Sequence, residues 1–225
     1  MVKYADVQPG QGAGRSARLN EDTKMTIIIA PMRSEHIPQL VIHQGICFET
    51  MDPAEWITAE QFGAQLRIFP EGQHVALDGE RVVGQSSTFR CLGEIVFVPH
   101  TYHNITAGNY FSSHHPAGEW LYGGDMSVHP AYRGQRIASL LYDARKILIR
   151  QLGMRGMVAG GAMPGYANYR HMAVEEYVAA VVAQQIFDPT LTAQLRNGYT
   201  VRGILRNYVD AGPAGFDATL IAWEA

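Results

Sequence analysis

Apolar residues follow strand-like or helix-like spacing along most of the chain, and residues 1–24 are the exception. This first segment is rich in Gly, polar and charged residues and lacks periodicity, which predicts a flexible tail. The fold is expected to begin with the apolar run Ile27 to Ile29, a buried strand. Ser34 is then expected to cap a first helix, and a second helix is expected to start at Thr58.

The middle of the chain predicts a β-hairpin followed by a long connection. Apolar runs from His74 to Leu77 and from Val82 onward flank an Asp78-Gly79 turn, and Asp-Gly tolerates the positive φ angles of a two-residue hairpin. Residues 99–118 combine Pro, Gly, Asn and four His, which favours a functional loop or an irregular insertion. The stretch from Leu121 to Val128 then returns to strand.

The strongest helical pattern lies in the C-terminal half. Apolar residues recur at helical spacing from Ile137 to Leu152, and Gly153 stands where a C-terminal cap is expected. The remaining expected elements are a short strand at 157–159, helices at 174–187 and 191–197, and a terminal hairpin of strands 199–205 and 219–223. We therefore predict a single domain over residues 25–225, with the long loop at about 99–118 and an extra helix at about 168–187.

Composition bounds the class of protein. With 225 residues and 47% hydrophobic side chains, the chain has enough apolar material for one sizeable core. A formal net charge of -3 provides no broad attraction to nucleic acid or to an anionic membrane surface, so neither partner is expected. Cys47 and Cys91 are too few for a disulfide framework, and no secretory signal or membrane-spanning run is found, which favours a cytoplasmic protein.

A strand that turns directly into a helix carries the main chemical signal. Between Met126 and Ala138, such a junction would direct unpaired backbone N–H groups and the positive end of the helix dipole at one spot. The small residue Gly134 lets a phosphate approach the backbone, and Arg133 and Arg136 supply cationic donors. By these arguments alone, the segment is as compatible with an ordinary crossover as with an anion site.

The same segment resembles a known motif. The pattern Val128-x-Pro130-x-x-Arg133-Gly134-x-x-Ile137-Ala138, followed by Leu141, resembles motif A of the GNAT superfamily of N-acyltransferases, whose signature is Arg/Gln-x-x-Gly-x-Gly/Ala. Arg136 stands where that signature has its central Gly. Stretches at 122–126, 159–166, 175–177 and 188–199 further resemble the GNAT domain that is fused to carbon-nitrogen hydrolases of the nitrilase type. The resemblance covers about residues 26–225, and it includes no hydrolase half.

The resemblance implies an α+β, three-layer fold: a mixed, mostly antiparallel twisted sheet with helices on both faces. It also implies acetyl-CoA (coenzyme A) as the co-substrate. Backbone groups of Met126, Ser127 and Val128 would then hold the pantetheine arm. The implied pyrophosphate site consists of Arg133, Gly134, Gln135, Arg136, Ile137, Ala138 and Ser139.

Acyl transfer by direct attack of an amine needs a base for the amine and an acid for the leaving thiolate. Asp125 is the candidate base, and a solvated or paired strand carboxylate is the alternative for it. The tyrosine that many GNAT members use as the acid is replaced by Gln194. Tyr166 is the replacement candidate, followed by Tyr169 and Tyr122, although a packed or substrate-lining role is favoured for each of them. The candidate substrate contacts are Glu119, Tyr122 and Tyr169.

Other sequence patterns bear on metal binding, on a second subunit and on nucleotide binding. His100-x-x-His103 and His114-His115 lack a carboxylate or Cys set at metal-site spacing, so no metal is expected. The apolar stripe of the helix at 174–187 is compatible with packing on the body or against a second subunit, which leaves a homodimer open. An ATP or dinucleotide site is not favoured, because neither phosphate-loop glycine pattern occurs at a strand-helix junction.

The expected function is therefore that of a GNAT-type N-acetyltransferase. It would move an acetyl or other acyl group from CoA to the amine of a small-molecule or peptide acceptor. The alternative is a non-catalytic acyl-CoA-binding regulatory module, which the missing tyrosine keeps open.

Overall fold

The structure is a computed structural model that describes residues 26–209 and 216–225, so the predicted tail at 1–24 lies outside the described residues. Its strands are β1 (Ile27–Pro31), β2 (Gln73–Asp78), β3 (Arg81–Cys91), β4 (Trp120–Val128), β5 (Gly156–Gly161), β6 (Thr200–Val209) and β7 (Phe216–Glu224). They form one sheet in the order β1-β2-β3-β4-β5-β7-β6. The β4–β5 pair is parallel and its neighbours are antiparallel, which confirms the predicted mixed, mostly antiparallel sheet.

The helices are α1 (Ile37–Cys47), α2 (Ala59–Ile68), α3 (Gly93–Val96), α4 (Tyr102–Thr106), α5 (Ile137–Gln151), α6 (Val174–Val182) and α7 (Leu191–Arg196). The Thr58 prediction is confirmed, because its hydroxyl accepts from the backbone N–H of Gln61 while the Gln61 side chain accepts from the N–H of Thr58. The Ser34 prediction is wrong. Ser34 begins a 3-10 turn, and α1 starts only at Ile37, since a Pro without an N–H is tolerated in the first turn of an α-helix.

Helices cover both faces of the sheet, as predicted. On β2, Val75 packs with Leu40 of α1 and Phe62 of α2. The next residue, Ala76, faces the opposite side and packs with α5. The architecture is therefore three-layered. Within the described part of the chain, no helix has the length and hydrophobicity needed to span a bilayer.

Two predicted segments differ in extent from the structure. The helix predicted at 168–187 is α6, which ends at Val182, because Gln184 adopts a left-handed backbone (φ 60°); residues 164–169 form a 3-10 segment instead. The predicted loop 99–118 contains α4, which is too short for a periodic apolar signal. The apolar stripe of α6 is buried in the chain's own core except for Val182, so the homodimer stays a prediction without support from this stripe.

Candidate active site

The sheet opens between β4 and β5. These strands pair over Trp120–Gly123 and Gly156–Ala159, and the pairing stops there. Beyond that point β4 continues along β3 to Val128, and β5 continues along β7 to Gly161. The strands therefore diverge, and their facing edges carry backbone N–H and C=O groups without a strand partner.

A β-bulge at Gly124 sets the direction of the Asp125 carboxylate. Ser87 pairs with Asp125, whereas its neighbour Thr88 pairs two residues back on β4. Gly124 is the extra residue. It keeps Asp125 on the sheet face that Tyr122 occupies, where regular alternation would turn the side chain to the opposite face.

Two amide groups hold Asp125 in place. Its Oδ2 accepts hydrogen bonds from Nε2 of Gln44 on α1, at 2.9 Å, and from Nε2 of Gln85 on β3. Arg145 donates to the backbone carbonyl of Asp125 at 2.7 Å. Burial raises the pKa of the Asp125 carboxyl above its ordinary value, although the hydrogen bonds and Arg145 oppose that shift. A carboxylate of this kind is a better proton acceptor than a solvated one.

Asp125 lies in the wall of a cavity of about 150 Å³ at the divergence of the strands. Gly124 of β4 and Gly160 of β5 form part of the same wall, with Tyr208 beside them. Much of the remaining surface is apolar, contributed by Phe48, Met51, Ile57 and Val209. The charged residues among its described lining are Asp125 and Glu55, and no cationic side chain is among them.

A second, more polar cavity of about 430 Å³ adjoins the first. The two share Glu55, Tyr102 and Val209. Its other lining side chains come from the segment around α4 and include Thr101, His103, Asn104 and Asn109. The predicted loop at 99–118 thus provides the wall of a cavity beside the strand divergence.

The predicted pyrophosphate turn follows β4 directly. A 3-10 segment at 130–132 leads to Gly134, with φ 80°, and then to α5, whose first N–H groups have no partner within the helix. Arg136, the departure from the family signature, has φ 64° and immediately precedes α5. Its backbone therefore has the left-handed conformation that favours the signature's glycine. The exposed turn from Arg133 to Arg136 leaves room for an anion.

We expect the Arg136→Gly variant to have a free energy of unfolding about 1 kcal/mol higher than Arg136→Ala. Both substitutions remove the same side-chain charge, so the difference isolates the cost of a Cβ at φ 64°. Chemical denaturation monitored by circular dichroism measures it. Equal stabilities would show that this backbone carries no such cost.

The other predicted CoA contacts lie on the diverging part of β4. Ser127 is buried, and its Oγ lies 3.0 Å from Nε2 of His43. Burial, reinforced by His129 and Arg133, lowers the pKa of His43 to about 4, so its ring is neutral at pH 7. The side chain of Ser127 is thus engaged, and the backbone of Met126 to Val128 faces the gap.

The remaining candidates are distributed over several places. The Tyr166 hydroxyl donates to the carbonyl of Met172 at 2.8 Å, and Tyr169 packs against Tyr177. Neither is among the residues that line the first cavity. Glu119 precedes the paired end of β4 and accepts from the N–H of Gly93, about 20 Å along the strand from Asp125. The catalytic role of Tyr166 stays a prediction.

Gln194 and Tyr122 are the last residues that the sequence analysis singled out. Gln194 is 6% exposed and lies against Gly161 of β5, and its Oε1 has no hydrogen-bond partner. Tyr122 is fully buried, so it reaches a substrate only through its neighbours. Among the described residues, no group of three or more His, Cys, Asp or Glu side chains is arranged to hold a metal ion.

Sequence reasoning missed Gln44, Gln85, Glu55 and Tyr208. Gln44 is 81 residues from Asp125 in the chain, and Gln85 is 40 residues away. Contacts of this kind leave no local spacing in a single sequence. The Gly123-Gly124 pair was the available signal, because Gly inside a strand often marks a bulge.

No family model matches the chain. It is 35% identical over 200 residues to the probable hydrolase YhcX of Bacillus subtilis (strain 168), a match that covers 88% of this chain and 38% of the relative. The chain thus spans less than half the length of that protein. It is 28% identical over 190 residues to the uncharacterized N-acetyltransferase YkwB of the same organism, with 84% of each chain covered.

The fold has clear counterparts among solved structures. One is GphF, a GNAT-like decarboxylase in complex with isobutyryl-CoA. The TM-score is 0.73 at 21% identity, and the match covers 88% of this chain and 98% of that one. The chain therefore has the GNAT fold.

Proposed function

We propose that the protein transfers an acyl group, most simply acetyl, from acyl-CoA to the amine of a small-molecule or peptide acceptor by direct attack. One observation carries the proposal: a turn suited to pyrophosphate and a cavity with a partly buried carboxylate lie at opposite ends of the same strand segment. Asp125 precedes Val128, where the turn begins, by three residues, about 10 Å along β4. The pantetheine arm would span that distance along the unpaired edge of β4.

In this arrangement Asp125 accepts a proton from the attacking nitrogen as the carbon–nitrogen bond forms. Backbone N–H groups on the unpaired edges of the gap are the donors for the oxyanion of the tetrahedral intermediate. When the carbon–sulfur bond breaks, the proton held by Asp125 passes to the CoA thiolate, directly or through Tyr166. The carboxylate is thereby restored for the next turnover.

The cysteine near the site favours direct attack over an acyl-enzyme intermediate. Cys47 Sγ lies 3.3 Å from Nε2 of His43. Burial raises the pKa of the Cys47 thiol to about 11, so it is protonated at pH 7 and is a poor nucleophile. His43, with its lowered pKa, is a weak base for it.

Charge around the cavities points to a cationic acceptor. Asp125 and Glu55 are the charged residues of the first cavity's described lining, and Glu55 lies where the two cavities meet. An ammonium group is attracted by both carboxylates, whereas an anionic acceptor is repelled. We therefore propose a primary amine that is protonated in solution and whose polar remainder occupies the second cavity.

The test is release of free CoA from acetyl-CoA with a panel of diamines, neutral amines and amino acids. Diamines are expected to be preferred. Glu55→Gln should raise the KM for a diamine about fivefold, because the lost attraction at a solvent-exposed site is of order 1 kcal/mol, and Glu55→Lys should raise it further. The KM for acetyl-CoA should not change.

Glu60→Gln is the matched control, because Glu60 is an exposed carboxylate outside the lining of both cavities. A preference for anionic acceptors, or equal effects of the Glu55 and Glu60 variants, would contradict a cationic acceptor. If the protein binds acetyl-CoA but acetylates no amine, the result would favour a non-catalytic regulatory module, which the named relatives do not favour.

Decarboxylation of an acyl-CoA that carries a carboxylate is a second candidate, suggested by the decarboxylase among the structural neighbours. Decarboxylation is compatible with Gln194 in place of the usual tyrosine, because the thioester stays intact and no thiolate has to be protonated. The two carboxylates and the absence of a cation among the described lining residues oppose it. Loss of carbon dioxide from malonyl-CoA without release of free thiol would favour decarboxylation over transfer.

A further inference from the structure

Three side chains form a continuous hydrogen-bonded chain from the cavity to the loop that carries the histidines. The hydroxyl of Tyr208 lies 2.9 Å from that of Tyr122. The Tyr122 hydroxyl lies 2.7 Å from Nε2 of His100, and Nδ1 of His100 lies 2.8 Å from the carbonyl oxygen of Val98. These distances are short enough for a proton to move along the whole series.

The hydrogen-bond partners determine which group donates to which in this hydrogen-bonded series. The Val98 carbonyl only accepts, so Nδ1 of His100 carries a hydrogen. Burial lowers the pKa of His100, so the ring is neutral at pH 7 and its Nε2 has a free lone pair. Tyr122 must then donate to His100, and Tyr208 must donate to Tyr122. Each hydroxyl hydrogen points away from the cavity.

Burial separates the two ends of the chain. Tyr122 is 0% exposed and Tyr208 is 4% exposed, whereas His100 is partly open to solvent. Tyr208 reaches the gap because position 160 is Gly: a Cβ there would lie 2.1 Å from its ring carbon Cζ. The hydroxyl of Tyr208 is therefore placed over β5 where the strands diverge, and His100 is the end at which a proton meets water.

We propose that Tyr208, Tyr122 and His100 form a proton path that carries away the proton which a cationic acceptor loses before attack. This inference rests on the proposed acyl transfer. The ammonium gives a proton to the Tyr208 oxygen, Tyr208 gives its own to Tyr122, and Tyr122 gives its own to Nε2 of His100. The resulting imidazolium turns toward solvent and releases its Nε2 proton to water, and rotation of the two hydroxyls restores the starting directions. The neutral amine then attacks, and its second proton returns through Asp125 to the CoA sulfur, so one proton leaves per turnover.

Neighbouring groups do not offer the same path. The Tyr102 ring faces Tyr208 at 5.9 Å between centroids, but its hydroxyl donates to Asn109. Burial raises the pKa of the Cys91 thiol near Tyr122 to about 12, so it stays protonated. Asp125 already accepts from two amides and serves the attack itself. Glu55, the other carboxylate of the cavity lining, is exposed where the two cavities meet, so it attracts the ammonium at the entrance rather than at the gap between the strands.

Tyr208→Phe, Tyr122→Phe and His100→Gln test the path. Each should lower kcat for a diamine about 100-fold at pH 7 and leave the Kd for acetyl-CoA unchanged. With an acceptor amine whose pKa lies below 7, which arrives neutral, the loss should be under threefold. The double variant Tyr208→Phe/Tyr122→Phe should be no slower than either single variant, because both interrupt one path.

Tyr199→Phe is the control, since it removes an equally buried hydroxyl that bonds Met157 Sδ outside the path. Equal losses with the neutral and the cationic amine, or with Tyr199→Phe, would overturn the proton path while leaving acyl transfer intact. A tautomer of His100 with its hydrogen on Nε2, measured by nitrogen NMR at pH 7, would overturn it without any assay of turnover. Wild-type protein that acetylates no amine would instead contradict the proposed function.

Discussion

Replacing Arg133 by Ala together with Gly134 by Asp is expected to weaken acetyl-CoA binding at least 100-fold, about 2.7 kcal/mol. The double variant removes one cationic donor and places a carboxylate beside the expected pyrophosphate. Gly134 has φ 80° in an exposed turn, and a Cβ there meets nothing within 4 Å, so the new side chain projects without a clash. Isothermal titration calorimetry with acetyl-CoA and with free CoA measures the change, and both ligands should lose affinity alike.

Arg133→Ala together with Gly134→Asn is the matched control. Asn has the shape of Asp and tolerates a positive φ, yet it carries no charge, so this double variant should bind more tightly than the one with Asp. If the Asn and Asp variants weaken binding equally, backbone geometry rather than repulsion is responsible. If the intact protein binds neither ligand, the transferase and the regulatory module are both excluded, and the chain has a GNAT fold without its usual ligand.

Elements that depend on local chemistry were predictable from the sequence. The hairpin between β2 and β3 is present, but its two-residue turn is Gly79-Glu80 rather than Asp78-Gly79, because Asp78 still pairs with Arg81. Gly79 supplies the positive φ, 59°, that this turn requires. The helix predicted from Ile137 is α5, because its apolar stripe is long enough for the period to be read. The helix predicted to end at Phe187 ends at Val182 instead. Its end follows from the left-handed backbone of Gln184, which apolar periodicity does not reveal.

The candidate site likewise has one part that was predictable from the sequence and another part that was not. The turn at Arg133 to Arg136 is contiguous in sequence. Arg136 replaces the central Gly of the signature, but its backbone has the left-handed conformation expected of that Gly. The surroundings of Asp125 and the pairing of Tyr122 with Tyr208 join residues 40 to 86 positions apart. Packing of distant strands creates these contacts. The bulge at Gly124, which brings Asp125 to the cavity, likewise depends on the register with β3.

Asp125→Asn is expected to lower kcat by 100-fold to 10,000-fold, the range of general acid–base catalysis. Asn keeps an oxygen for the two glutamine amides that bond Oδ2, so the site should retain its shape. Acetyl-CoA affinity should therefore be preserved, and the loss should fall on the chemical step. Steady-state release of CoA and calorimetry on the same preparation separate the two effects.

The pH profile identifies the base. Burial raises the pKa of Asp125, so the carboxylate is lost, and the rate falls, as pH drops through a value above that of an ordinary carboxyl. This acidic limb should be absent in Asp125→Asn. Glu119→Gln is the control, because Glu119 immediately precedes the paired end of β4 and its Oε1 bond to Gly93 survives the change. An acidic limb that persists in Asp125→Asn would assign the base to another group, and a large loss of kcat in Glu119→Gln would show that these substitutions act through β4 rather than through proton transfer.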